Sequence, residues 1–73
     1  MNLGESLRII LNRTGMMKKH LAKELGVTPQ TISHLMGDRY WTRGMIEEIC
    51  SIFDLTASEF VRLGEKGEQN GRG

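Results

Sequence analysis

The chain has 73 residues, 38% of them hydrophobic and 26% charged, which is enough for one small domain with a single core. Cys50 is the only cysteine, so no internal disulfide can form, and no stretch approaches the roughly 20 apolar residues of a membrane span. The formal net charge of +1 conceals an uneven distribution: residues 1–43 hold seven Lys/Arg against three Asp/Glu, and residues 44–73 hold three against six. The basic part suits a phosphate backbone, while the acidic part would turn away or face a partner. The N-terminus shows no basic region followed by an apolar run, so no signal peptide is expected, and a reducing cytoplasm fits the cysteine usage.

A first helix is expected from Leu3 to about Arg13, with Leu3, Leu7, Ile10 and Leu11 forming an apolar stripe at helical spacing. Asn2 stands where an N-cap belongs and Glu5 at capping-box distance. Ile9 lies off the stripe, and Gly15 ends the element. Met16 is expected in the core. Met17 cannot cap the second helix, because a thioether offers the helix start no oxygen acceptor.

The stretch from Lys18 to Gly37, KKHLAKELGVTPQTISHLMG, predicts two short helices joined by a tight turn. Leu21, Ala22 and Leu25 share one face of the helix at Lys18–Leu25. Gly26 breaks it, since glycine takes left-handed backbone without steric cost. Val27 is an apolar plug for the angle between the helices. Thr28 is a natural N-cap and Pro29 a natural first residue for a helix running to about Met36. Ile32 and Leu35 face back toward Leu21 and Leu25. Gln30, Thr31, Ser33 and His34 are short, polar and uncharged, so this helix has one apolar face and one hydrogen-bonding face. Gly37 closes it.

The turn-like segment Gly37–Thr42 holds the only Tyr and the only Trp, Tyr40 and Trp41, beside Arg39 and Arg43. Trp41 is read as a lid over the third and fourth helices; the alternative has Tyr40 or Trp41 resting on a sugar-phosphate backbone. The fourth helix is expected from about Arg43 to Phe53, capped by Thr42, with Ile46, Ile49 and Phe53 inward. Thr56 and Glu59 form a capping box that opens the fifth helix, with Phe60 and Leu63 inward and Val61 free for a second subunit. From Gly64 the sequence has no apolar residue and four glycines in ten, so residues 1–63 read as the domain and 64–73 as a flexible tail.

Leu21-Ala22, Leu25-Gly26-Val27, Ile32 and Leu35 match the helix-turn-helix signature of the lambdoid Cro/repressor, or XRE-like, family, which this chain resembles over about Leu3–Leu63. Leu3, Leu7 and Ile10 resemble the family's first helix; Ile46, Ile49, Phe53, Leu55 and Phe60 resemble its fourth and fifth. The chain departs from the pattern at Met17 (commonly Ser or Thr), Lys18 (Gln), Met36 (Glu) and Asp54 (Gly or Asn). Cys50 stands where the family carries a small buried residue and is expected to be an inert core thiol. The resemblance implies an all-α, compact five-helix, lambda-repressor-like DNA-binding domain with the helix-turn-helix at its second and third helices.

The third helix is expected to enter the major groove of double-stranded DNA. Gln30 can pair bidentately with adenine, His34 can donate or accept at guanine or phosphate, and Ser33 can serve any base. Thr31 offers a methyl to thymine or a hydroxyl to phosphate, and Pro29 a van der Waals contact. The family's base-reading side chains match Pro29, Gln30 and His34. Lys18, Lys19, Thr28, Arg39, Tyr40 and Arg43 are expected at phosphates, where they position the helix without reading sequence. Relatives bind inverted repeats as two-fold dimers; the fifth helix, with Val61 and Leu63, is the candidate dimer surface here.

The expected function is a sequence-specific transcriptional regulator, a repressor of phage or mobile-element type, acting in the cytoplasm at the nucleoid. The alternative is an antitoxin that binds a partner toxin and represses its own operon. With no effector domain after the fifth helix, regulation is expected from concentration, a protein partner or competition for the site. No nucleophile–base pair, phosphate-cradling glycine loop or metal-ligand spacing points to an enzyme, a metal or another cofactor.

Overall fold

The structure is a computed structural model that describes the backbone of residues 2–72 and the side chains of residues 2–65. Five helices follow one another: α1 (Leu3–Thr14), α2 (Lys18–Leu25), α3 (Pro29–Met36), α4 (Arg43–Phe53) and α5 (Ala57–Arg72). Among the described residues there is no strand, and the all-helical fold expected from the sequence is the one observed.

The predicted stripes become the core. Leu7, Leu21, Ile32, Leu35, Ile49 and Phe60 are fully buried, with Phe60 the largest among them. Burying such a side chain contributes roughly 1.5–3 kcal/mol. Met16, Leu25, Val27, Trp41, Ile46, Phe53, Leu55, Val61 and Leu63 pack around this centre while half-buried. α1 packs most extensively on α5 and also touches α3; α2 lies against α3, and α4 against α5 and α2.

The helix ends follow local chemistry with one exception. Gly15 and Gly26 take left-handed backbone at φ 74 and φ 72 and stop α1 and α2. Thr42 caps α4, its Oγ1 accepting the Met45 N–H at 3.1 Å. Asp54 ends α4 in the left-handed region, φ 57 and ψ 47. The capping box forms reciprocally: Thr56 N–H donates to Glu59 Oε1 at 2.8 Å and Glu59 N–H to Thr56 Oγ1 at 3.1 Å. The Thr56 N–H first, and the Thr56 hydroxyl second, hold the Glu59 carboxyl below its ordinary pKa, because hydrogen bonds to the carboxylate favour the ionised form.

The exception is the start of α1. Asn2 makes no side-chain cap bond, and the expected Asn2–Glu5 box does not form. Glu5 pairs instead with Arg8 one turn on, at the surface of α1. The Gly4 N–H that a local cap would serve donates instead to Asp38 Oδ1 at 2.7 Å, from the loop after α3. Gly4 permits this approach: a Cβ there would overlap the Met36 carbonyl oxygen.

The C-terminal segment also differs from expectation. Gly64, read as the start of a tail, is buried within α5, and the helix continues to Arg72. The Gly64 N–H donates to Ser6 Oγ at 2.8 Å, and Ser6 Oγ donates to the Asn2 carbonyl at 3.3 Å. Ser6 is the buried polar residue of α1 and lies against Gly64 of α5. The side chains of residues 66–73, where the rest of the expected tail falls, lie outside the described residues.

Cys50 is buried, its Sγ 3.8 Å from the Thr56 carbonyl oxygen. Burial first, and the Glu59 charge second, push its pKa up, which disfavours the reactive thiolate. Among the described residues, no helix is long and apolar enough to cross a membrane.

Candidate nucleic-acid interface

The turn between α2 and α3 fixes how the second helix is presented. Gly26 reverses the backbone, and the Val27 N–H returns to the Ala22 carbonyl at 2.9 Å. Ala22 is buried, and its small side chain lets the two helices cross closely. Thr28 then takes extended backbone, φ −88 and ψ 157, and its Oγ1 accepts the Thr31 N–H at 3.2 Å. Pro29 occupies the first turn, where a missing donor costs nothing.

α3 has the two faces the sequence predicts. Ile32 and Leu35 are fully buried against the core. Pro29, Gln30 and Ser33 are exposed, and Thr31 and His34 are half-buried. The Thr31 hydroxyl lies 3.1 Å from Thr28 Oγ1, a bond that uses one of the two O–H donors and leaves the other free. Gln30, Ser33 and His34 supply the rest of the hydrogen-bonding capacity of the outer face.

Lys18 and Lys19 open α2, Arg39 and Tyr40 lie in the loop after α3, and Arg43 opens α4; all five are exposed. Among the described residues, the only ion pair is Arg8–Glu5, so none of these four cations is neutralised by a carboxylate. Met17, as expected, supplies no side-chain cap to α2 and is 54% exposed.

Tyr40 and Trp41 part company. Tyr40 is 68% exposed, whereas Trp41 is half-buried, its Nε1 donating to the Leu35 carbonyl at 2.8 Å. The Trp41 ring lies 5.8 Å from that of Phe60, so it reaches from α3 to α5. The Tyr40 ring instead meets the His34 imidazole edge-on, at 5.2 Å and 82°.

Two features of this region carry no signature in the sequence pattern: the Asp38–Gly4 bond and the His34–Tyr40 contact. The first joins residues 34 apart in sequence and leaves no local signal. An Asp next to Gly in a turn does signal tolerance of left-handed backbone, which Asp38 adopts at φ 62.

A short capped helix, angled across its predecessor by a glycine turn and carrying a polar outer face, defines a helix-turn-helix DNA-binding domain. The chain belongs to the Cro/C1-type HTH DNA-binding domain family, whose model matches residues 6–65. This agrees with the XRE-like resemblance of the sequence and identifies a DNA-binding regulator. No curated protein and no solved structure matches the chain significantly.

Proposed function

We propose that this protein is a transcriptional repressor of phage or mobile-element type that binds an inverted-repeat operator as a homodimer, with α3 in the major groove. The observation that carries the reading is the division of α3: Ile32 and Leu35 sit at 0% exposure, while Gln30 and Ser33 on the other side are open. Gln30 reads adenine bidentately, and His34 and Ser33 read neighbouring base edges. Pro29 and Thr31 contribute apolar contact, Thr31 through its methyl. Lys18, Lys19, Arg39 and Arg43 grip phosphates, with Thr28 and Tyr40 beside them.

One such helix spans too little groove for high affinity alone, so two copies act together. Val61 and Leu63, both half-buried on α5, supply part of the pairing surface. The protein works in the bacterial cytoplasm at the nucleoid. A second reading, an antitoxin that also represses its operon, is favoured by the excess of acid over base in residues 44–73. A stable basic partner that co-purifies would select it.

The test is selection from a randomised duplex pool with wild type, Gln30→Ala and His34→Ala. Enrichment of an inverted repeat by wild type, with each variant losing preference at one position per half-site, is the expected result. Weak, salt-sensitive, sequence-blind binding by wild type would reject the repressor reading.

A further inference from the structure

The loop between α3 and α4 is held more tightly than a connection needs. Asp38 and Tyr40 take left-handed backbone, at φ 62 and φ 64, although Gly37 beside them takes φ −89. A bulky residue is unfavourable there and persists only where its surroundings over-determine it. Two anchors flank Tyr40. Asp38 Oδ1 accepts the Gly4 N–H of α1 at 2.7 Å, and Trp41 Nε1 donates to the Leu35 carbonyl at 2.8 Å while its ring rests on Phe60. Between them, the Asp38 N–H donates to the Leu35 carbonyl at 3.0 Å and the Arg39 N–H to the His34 carbonyl at 2.9 Å.

This conformation does not bury Tyr40, which stays 68% exposed. It does set the ring against the His34 imidazole, edge-on at 5.2 Å. An imidazole directs hydrogen bonds only in its own plane, so fixing that plane before contact lowers the ordering cost of reading a base edge.

We propose that Tyr40 is a positioning residue for base recognition: its ring fixes the orientation of the His34 imidazole, and the Asp38–Gly4 bond anchors the loop that holds it there. The inference rests on the reading of His34 as a base-contacting residue, and it assigns the loop a part in sequence preference as well as in phosphate contact.

The test has two parts, run on wild type, Tyr40→Phe, Tyr40→Gly and His34→Ala. Glycine accepts φ 64 without strain, so Tyr40→Gly removes the ring while favouring the loop conformation. In the free protein, NMR of the imidazole ring protons should show His34 displaced by the Tyr40 ring current relative to exposed His20. The displacement should vanish in Tyr40→Gly and survive in Tyr40→Phe. Absence of any such displacement in wild type overturns the proposal, whatever the DNA does.

In duplex selection, Tyr40→Gly should flatten preference at the base pair that His34→Ala flattens, by roughly twofold to tenfold, the range an edge-on ring contact supports. Preference at the Gln30 position should persist. Tyr40→Phe should keep the base preference even where overall affinity falls with the phenol. Uniform weakening by Tyr40→Gly across all sequences overturns the proposal and leaves Tyr40 a phosphate contact. If His34→Ala changes no position while Gln30→Ala does, base contact by His34 fails and the positioning role fails with it, leaving the helix-turn-helix reading intact.

Discussion

Gly64→Ala tests the close crossing of α1 and α5, and its sign is the informative quantity. In a helix, alanine is better than glycine by about 1 kcal/mol, so an unconstrained site would be stabilised. Gly44 in α4 is such a site: a Cβ there meets nothing nearer than Thr42 Oγ1 at 3.9 Å. At Gly64 the new methyl would overlap the Asn2 carbonyl oxygen, with Ser6 Oγ at 2.5 Å and the Ser6 backbone N at 3.1 Å. Two of these are backbone atoms of α1 and its lead-in, and Ser6 is fully buried, so no rotamer change relieves the clash. The helices must separate, at about 1–3 kcal/mol for overpacking. Weakening the 2.8 Å bond from Gly64 N–H to Ser6 Oγ adds about 1 kcal/mol. After the helix-propensity gain is subtracted, the net loss is about 1–3 kcal/mol, or a Tm lower by roughly 5–20 °C for a domain this small. Parallel thermal and urea melts of Gly64→Ala and Gly44→Ala, followed by circular dichroism, should move in opposite directions. Stabilisation by both would refute the close crossing of α1 and α5.

Further outcomes concern helix ends and charges. Asp54 ends α4 at φ 57 and places a negative charge at the negative end of the helix dipole. Asp54→Gly should therefore stabilise the fold by about 0.5–1 kcal/mol in a urea melt. The Glu59 carboxyl has its pKa depressed by bonds from the Thr56 N–H and hydroxyl side of the capping box. Its contribution is present above the ordinary value of 4.5 and is lost as pH falls through the lower folded value. Wild type should thus lose more stability than Glu59→Gln on acidification below about pH 5, read from melts across pH. Alanine at Lys18, Lys19, Arg39 or Arg43 should weaken DNA binding evenly across sequences and reduce the slope of log affinity against log salt by about 0.9 each. An unchanged slope would remove that residue from the phosphate contacts.

Legibility tracks the range of the interaction. The bounds of α2 and α3 follow from residues within one turn: Gly26 as terminator, Thr28 as cap, Pro29 as first residue. The Thr56–Glu59 box and the Thr42 cap are readable for the same reason. The start of α1 departs from its local pattern because its partner is Asp38, far along the chain, and because Arg8 competes for Glu5. Gly64 misleads because glycine has two opposite uses. Composition counts it as freedom, whereas here the absence of a side chain admits Asn2 and Ser6. At the candidate interface the sequence separates the faces of α3, since burial follows period. It does not reveal that Tyr40 points at His34, because that depends on left-handed backbone at a residue type that rarely takes it.

The clasp of Ser6 with Gly64 joins the two ends of the domain. The two residues are 58 apart in sequence, and the helix that packs most extensively on α1 is the last of the five. A ribosome that has delivered α2 and α3 has made the whole recognition unit, yet α1 still lacks its main cover. Closing so long a loop carries its entropy cost before the contact rewards it. α3 lies near the middle of the chain, yet α1, on which it packs, gains its main cover only from α5.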